Sequence, residues 1–515
     1  MVLDLSTSSQ APRQSLRALI WNRFLQPLLQ RIFRWLTASK AQPFEDIPGP
    51  TPIFPTGNVL DFQKDPTWEV LGNYAQQYGN VARFWMLFRP CLAVNDPKLI
   101  HQVLSGVGEQ SPEVAESRCP LHNNPIYKFY KNQPRKALRP MLTDTNPFEA
   151  AAADAHWKDL KQNHPFSMDY FDDWLGSQIE PLHAFIETRA TELVAASNQA
   201  GELSAYDAIQ KLTFDGFSLA TVGQVFPDEV FEQFNSMCQT GTSRMTRSTL
   251  ATWLIPEKPW DRTYRKVSKA WFNRFEQIVS LEEAPANSLL GWVLRKGGTN
   301  FEAEKLRNFC AGVYPGGAVS TPSGITSALH LLHQHPETLA ALKAEVKDFF
   351  AGPLTLERLE GCTQLDQVMR ESLRLWPAVP FFLRTVNQGG AELAGHSIPA
   401  GTPIFMSNWS LQRLSDHWSE PETFNPARWD AETCRQNDWG SDYFFPFGRG
   451  DRACIGQYFA RYFMKLVLAV LVSKFGVTFG DQSPEQEFFF GVAVPRQLKA
   501  QFIYSSKDLP KYSGD

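Results

Sequence analysis

Apolar residues recur at helical spacing along most of this chain, and at alternating spacing in only a few short runs. Ile209, Leu212, Phe214, Phe217 and Leu219 predict a helix over residues 207–223, and residues 306–335 predict a long one that carries two prolines, Pro315 and Pro322. A further helix is predicted over 367–377, and residues 457–471 are apolar nearly all round, which predicts a helix inside a core. Residues 78–85 and 91–94 read as two strands of a hairpin, followed by a helix start at Asp96-Pro97. Residues 397–405 read as a hairpin edge and 488–494 as another. Between them, residues 106–155 break every period and predict a long irregular segment.

The N-terminal end reads differently. Residues 16–36 could span a bilayer by length, yet Arg17, Arg23, Arg31 and Arg34 interrupt them and Pro27 stands in the middle. At helical pitch Trp21, Phe24, Leu25, Leu28, Ile32, Trp35 and Leu36 gather on one face, which predicts a basic amphipathic helix lying at a membrane surface. The alternative is a helix packed on the protein's own body. Pro48-Gly49-Pro50 forms a rigid hinge after it. The division is thus a tail with its surface helix at 1–44, one large domain at 45–505 and a short tail at 506–515.

At 515 residues with 43% hydrophobic content, the chain can bury a substantial core. A net charge of −4 gives no reason to expect a nucleic-acid partner. Its seven cysteines are odd in number and scattered, without a C-x-x-C pair, which predicts reduced thiols inside a cell and argues against zinc or iron–sulfur sites. The expected location is intracellular, either cytoplasmic or peripheral to a membrane.

One cysteine stands apart. Cys454 lies in a glycine-rich loop at the start of the apolar helix, where the helix dipole and turn amides favour a thiolate, the form that ligates metal. Around it Phe447, Gly450, Arg452, Cys454 and Gly456 occupy every fixed position of F-x-x-G-x-R-x-C-x-G. This loop resembles the heme-binding loop of the cytochromes P450, a family known for thiolate-ligated heme. The resemblance covers about residues 45–505 and is most specific over the last two hundred. It implies the cytochrome P450 fold, mainly α with a small β region, with heme b between two long helices and O2 as co-substrate. It makes Cys454 the metal ligand, sets Phe447 near the sulfur, lets Gly450 and Gly456 bring backbone close to the porphyrin, and puts Arg452 and Arg384 on propionates. Trp157 and Lys161 match the family's W-x-x-x-R pair, with lysine in place of arginine.

On the long helix the same resemblance sets residues 316–321 on the family's A/G-G-x-D/E-T-T segment, so Gly317, Ser320 and Thr321 become the candidate catalytic group. Val319 then stands where the family has its proton-delivering acid, a departure that leaves only the hydroxyl of Ser320. A shifted register, with Ala311-Gly312 on the motif, would bring Pro315 to the alcohol position and needs an insertion before His335. Glu371 and Arg374 match the family's E-x-x-R, with Arg428 or Arg413 as the third partner of a buried network. Ala378, Val379, Phe381, Phe382 and Phe489 are the expected pocket lining.

The implied function is O2-dependent monooxygenation of a lipophilic small molecule, of a lipid, fatty-acid or terpenoid-like kind. One domain occupies the length without an attached flavin or ferredoxin module, so electrons are expected from a separate ferredoxin or flavoprotein reductase. Lys158, Lys161, Arg449 and Lys465 are candidates for a basic patch that receives it. The missing acid leaves two alternatives open: a heme-thiolate isomerase or peroxygenase that needs no reductase, and a heme-binding sensor.

Overall fold

The computed structural model describes residues 26–105, 171–251, 259–296, 303–386, 390–450, 453–481 and 485–505. The first helix, α1, spans Gln26–Ala41, so Pro27 falls in its first turn, where no backbone donor is needed, rather than at a mid-helix break. Phe33 anchors α1 to the body, its ring 5.6 Å from Trp85 and 5.5 Å from Phe88. The Gln30 amide donates to the Pro52 carbonyl at 2.8 Å beside it. Leu28, Ile32, Trp35 and Leu36 lie on the opposite side and are exposed, Trp35 by 79%. No helix among the described residues is long and apolar enough to cross a membrane.

The predicted first hairpin forms as β1, Val81–Met86, and β2, Arg89–Val94, paired antiparallel with Val81 opposite Val94. The Asp96 carboxylate then accepts the Leu99 N–H at 2.9 Å and starts the next helix as predicted. Two distant segments complete this sheet: β3, Phe382–Thr385, and β4, Pro403–Met406, in the order β1-β2-β4-β3. This corrects the reading of residues 397–405 as one hairpin edge. His396–Ile398 pairs with Ala391–Leu393 in a small sheet of its own, and Pro399 to Thr402 carry the chain across to β4.

The helical body is built around three helices. Helix α2, Ala205–Val222, packs along α3, Ala303–Gln334, and α5, Gln457–Lys474, runs through the core, with α4, Thr363–Leu375, beside it. Gly216 lets α2 approach α5, since a Cβ there would come within 2.7 Å of the Phe463 ring. Gly324 does the same where α3 meets α5, a Cβ being 2.7 Å from Met464 Cε. That crossing fixes the site: Ser320 is one turn before Gly324 on α3, and Cys454 lies just ahead of α5. The C-terminal hairpin is β5, Glu487–Phe489, and β6, Val492–Val494, joined at Phe490 and Gly491, whose φ values are 50° and 86°.

Candidate functional site

The cysteine loop turns through Gly448 and Gly450, at φ of 73° and 69°, conformations that favour glycine. The Cys454 N–H donates to the Phe447 carbonyl at 2.7 Å, closing the loop. Cys454 is exposed, whereas the other described cysteines are buried or half-buried. Burial raises the Cys454 thiol's pKa, against the lowering effect of the Gly456 amide. A cation at the sulfur is what would draw the proton off. Gly456 itself has ordinary φ, and a Cβ on it would meet nothing within 4 Å, so space for a flat group lies beside it. Arg452, Trp157 and Lys161 lie outside the described residues.

Helix α3 is buried from Phe309 to Leu332 except at Gly316, Gly317 and Ser320, which are half-exposed. Their spacing puts all three on one face, the face that the motif register with Ser320 at the hydroxyl position requires. The Ser320 hydroxyl donates to the Gly316 carbonyl at 2.5 Å. Thr321 is buried, as is Val319, which brings no acid. At the bottom of this stretch the Ser323 hydroxyl donates to the Ala493 carbonyl at 2.6 Å, tying α3 to β6.

Glu371 and Arg374 are fully buried and joined by two hydrogen bonds of 2.8 and 2.9 Å. Arg428 is the third partner, its Nε donating to the Glu371 carboxylate at 2.9 Å. Arg413 is not: it pairs with Glu422 at 3.1 Å and donates to the Leu375 carbonyl at the end of α4. The Asn425 N–H at 3.0 Å and the Trp429 indole N–H at 2.9 Å also donate to Glu371. Sequence reasoning did not find these two, because a backbone amide leaves no mark in a sequence and a tryptophan reads first as core. Burial alone would raise the Glu371 carboxyl, but the hydrogen bonds and charges of Arg374 and Arg428 with the Asn425 amide hold it below the ordinary glutamate value.

Arg384 sits on β3, two residues from Phe382, and shares its face. The Phe382 ring is 5.6 Å from Phe445, which opens the cysteine loop, so that face looks toward the loop. Burial pushes the Arg384 guanidinium down to about 10, and among the described residues no carboxylate pairs with it. Its one hydrogen bond goes to the Leu383 carbonyl, at 2.9 Å. An anion is what this cation lacks. With the exposed residue Cys454 and the open space at Gly456, it makes the residues present fit a heme with its propionates.

Ala378, Val379, Phe381 and Phe382 are half-buried, and Phe381 stacks against Phe405 and Phe488. Phe489 departs from the expected lining. It points into the core at 2% exposure, beneath the Arg496 guanidinium 4.0 Å from its ring. Alternation along β5 leaves Phe488 on the side of Phe381 instead. The basic patch also changes: Lys465 is buried and bound to Asp366 at 2.9 Å, and Arg449 is bound to Asp442 at 2.5 Å. Lys158 lies outside the described residues.

An exposed cysteine at a helix start, a half-exposed hydroxyl face on the crossing helix and a half-buried arginine without a carboxylate partner among the described residues are what the site offers. The family model described as cytochrome P450 matches residues 47–502, and the chain belongs to the cytochrome P450 family. It is accordingly an enzyme of the heme-iron and O2-using kind. It is 24% identical over 455 residues to "Cytochrome P450 CYP71D313" of Panax ginseng, covering 83% of this chain and 85% of that one. It is 28% identical over 244 residues to "9-beta-pimara-7,15-diene oxidase" of Oryza sativa subsp. japonica, 45% of this chain and 48% of that one. It is likewise 28% identical over 201 residues to "(+)-vincadifformine 19-hydroxylase" of Catharanthus roseus, 38% of this chain and 39% of that one.

Proposed function

We propose that this chain is an O2-dependent monooxygenase that hydroxylates a lipophilic small molecule, with heme b held by Cys454 and electrons from a separate ferredoxin or flavoprotein reductase. The observation that carries the reading is the pairing of an exposed Cys454 with a buried helix whose only half-exposed residues from Phe309 to Leu332 are Gly316, Gly317 and Ser320. Heme iron so held supplies O2 binding and redox chemistry. The protein's own residues do the rest. Arg384, with Arg452, Trp157 and Lys161 from outside the described residues, holds propionate charge; Phe447, Gly450 and Gly456 shape the loop around the sulfur. Gly316 leaves room over the site, Gly317 admits the Phe217 ring of α2 close to the helix, and Ser320 Oγ holds a proton beside the site, with Thr321 behind. Ala378, Val379, Phe381, Phe382 and Phe488 exclude water and receive an apolar substrate. The names of the pimara-7,15-diene oxidase and the vincadifformine 19-hydroxylase support an apolar, terpenoid-like or similar substrate.

Membrane contact belongs to the same proposal. The outward stripe of Leu28, Ile32, Trp35 and Leu36 on α1, flanked by exposed Arg31 and Arg34, suits the surface of an anionic bilayer, where a lipophilic substrate would concentrate. The reductase-free alternative, isomerase or peroxygenase, is favoured by one observation, the buried Val319 at the acid position. Oxygen uptake by the heme-loaded protein, with a reductase and lipophilic substrates, separates the readings. The monooxygenase reading expects reductant-dependent uptake with hydroxylated product. Turnover without any reductant would establish the alternative, and tight ligand binding without turnover in either condition would leave a sensor.

A further inference from the structure

Helix α2 turns polar side chains toward α3 where apolar ones would pack. Tyr206, Gln210, Thr213 and Phe217 recur every three or four residues and so share one face. Two contacts settle where that face points. The Tyr206 hydroxyl donates to the Val319 carbonyl at 3.1 Å, and a Cβ on Gly317 would lie 3.2 Å from the Phe217 ring. Between them in sequence, Gln210 and Thr213 are 0% and 2% exposed. The amide nitrogen and oxygen of Gln210 and the hydroxyl of Thr213 have no hydrogen-bond partner among the described residues. Leaving such atoms unpaired is costly, and ordered water removes that cost. On α3, Pro322 has no N–H, so the helical donor for the Ala318 carbonyl is missing. The next carbonyl, that of Val319, is the one that takes the Tyr206 hydroxyl.

We propose that Tyr206, Gln210 and Thr213 hold a file of ordered water behind the Pro322 break, and that this file feeds protons to Ser320 in place of the missing acid. The inference rests on the monooxygenase reading. Its outer end is marked by Arg496, 5.5 Å from the Tyr206 ring centre, which pairs with Asp207 at 3.3 Å and Glu487 at 3.2 Å. Both carboxylates are partly exposed to solvent. Along the file each water accepts one proton and gives another to its neighbour, so a single proton enters at the surface and one leaves at Ser320 Oγ, with no electron moved. Tyr206 commits its hydroxyl proton to the Val319 carbonyl, so it fixes the file rather than relaying along it. Tyr206 and Gln210 are therefore positioning residues.

The test compares Gln210→Leu and Gln210→Glu with the wild type, all heme-loaded, for hydroxylated product and peroxide per reductant consumed, alongside a crystal structure of the wild type that shows ordered water. The leucine variant should raise peroxide per reductant by about tenfold, less than the roughly 10²–10⁴-fold worth of a proton donor itself because Gln210 only places the water, while glutamate restores coupling. Unfolding temperature and the reduced, carbon-monoxide-bound spectrum should not differ between the two, which sets this result apart from a packing defect. The crystal should hold water within hydrogen-bond distance of the Gln210 amide. A leucine variant that couples like the wild type, or a dry seam in the crystal, overturns the proposal. If neither variant folds, the crystal alone decides. A wild type that takes up no oxygen with reductant sinks the monooxygenase reading, and the proton-feeding role falls with it. Normal uptake with an unaffected leucine variant sinks this inference alone.

Discussion

Replacing Glu371 by alanine would strand the Arg374 guanidinium at 0% exposure, with Arg428 still aimed at the same spot. Arg374 keeps its bonds to the carbonyls of Gln412, Pro421 and Thr423, at 2.8, 2.7 and 3.2 Å, but no longer has a counter-charge. Breaking one side of a buried pair costs about 3–5 kcal/mol. The Trp429 and Asn425 donors lose their acceptor as well, so Glu371→Ala should stand at the upper end of that range. Unfolding entropy scales at about 2.1 cal/mol/K per residue, so for a domain of about 450 residues each kcal/mol moves the melting temperature by only about 1 °C. Urea titration of the heme-loaded protein is therefore the better assay. Glu371→Gln keeps the shape and two of the acceptor directions, and should lose roughly half as much. The acid limb gives a second readout. The folded carboxyl lies below its ordinary value of 4.5, so its contribution is fully present above that pH and fades as pH falls through the lower folded value. Glu371→Gln should flatten that limb. A Glu371→Ala protein within about 1 kcal/mol of the wild type, the range of a solvated surface pair, would refute this reasoning.

Three further outcomes follow from the site. Arg384→Leu removes the unpaired cation and, at about 1.5–3 kcal/mol for a charged hydrogen bond, should speed transfer of heme to an apo-globin acceptor by about tenfold or more; an unchanged rate would take Arg384 off the propionate. Ser320→Ala should uncouple electron flow, so that reductant is consumed and peroxide forms with little product; coupling equal to the wild type would mean Ser320 has no required part in proton delivery. Trp35→Ala, at 79% exposure on α1, should weaken sedimentation with anionic vesicles at low salt by about tenfold, the worth of one buried aromatic side chain, and an intact protein that ignores such vesicles would end the membrane proposal.

Much of this site was legible because its parts are written locally. A loop that needs glycines in fixed places, a cysteine before an apolar helix and a glutamate one turn from an arginine leave their mark within a few residues. What failed depended on distant partners. Arg428 and Arg413 are equally basic and equally near in sequence, and only the fold decides that Arg428 meets Glu371 while Arg413 caps α4. Lys465 looked like a surface charge because lysine usually is one, yet Asp366 on α4 neutralises it inside the core. Phe489 was misplaced although the signal existed: in a hairpin strand, neighbours point to opposite faces, so the three consecutive phenylalanines could not all line a pocket. Gln210 and Thr213 also carried a signal, as polar residues inside the apolar pattern of α2, but which helix they face depends on packing that α2 alone does not reveal.

The central claim, that Cys454 supplies a thiolate to heme iron, is tested most directly by the absorption spectrum of the purified protein after reduction and exposure to carbon monoxide. The account predicts the red-shifted Soret band of thiolate ligation in the wild type and its loss in Cys454→Ser, with the other described cysteines unable to replace it because they are buried or half-buried elsewhere in the fold. A Cys454→Ser protein that kept that band would contradict the account.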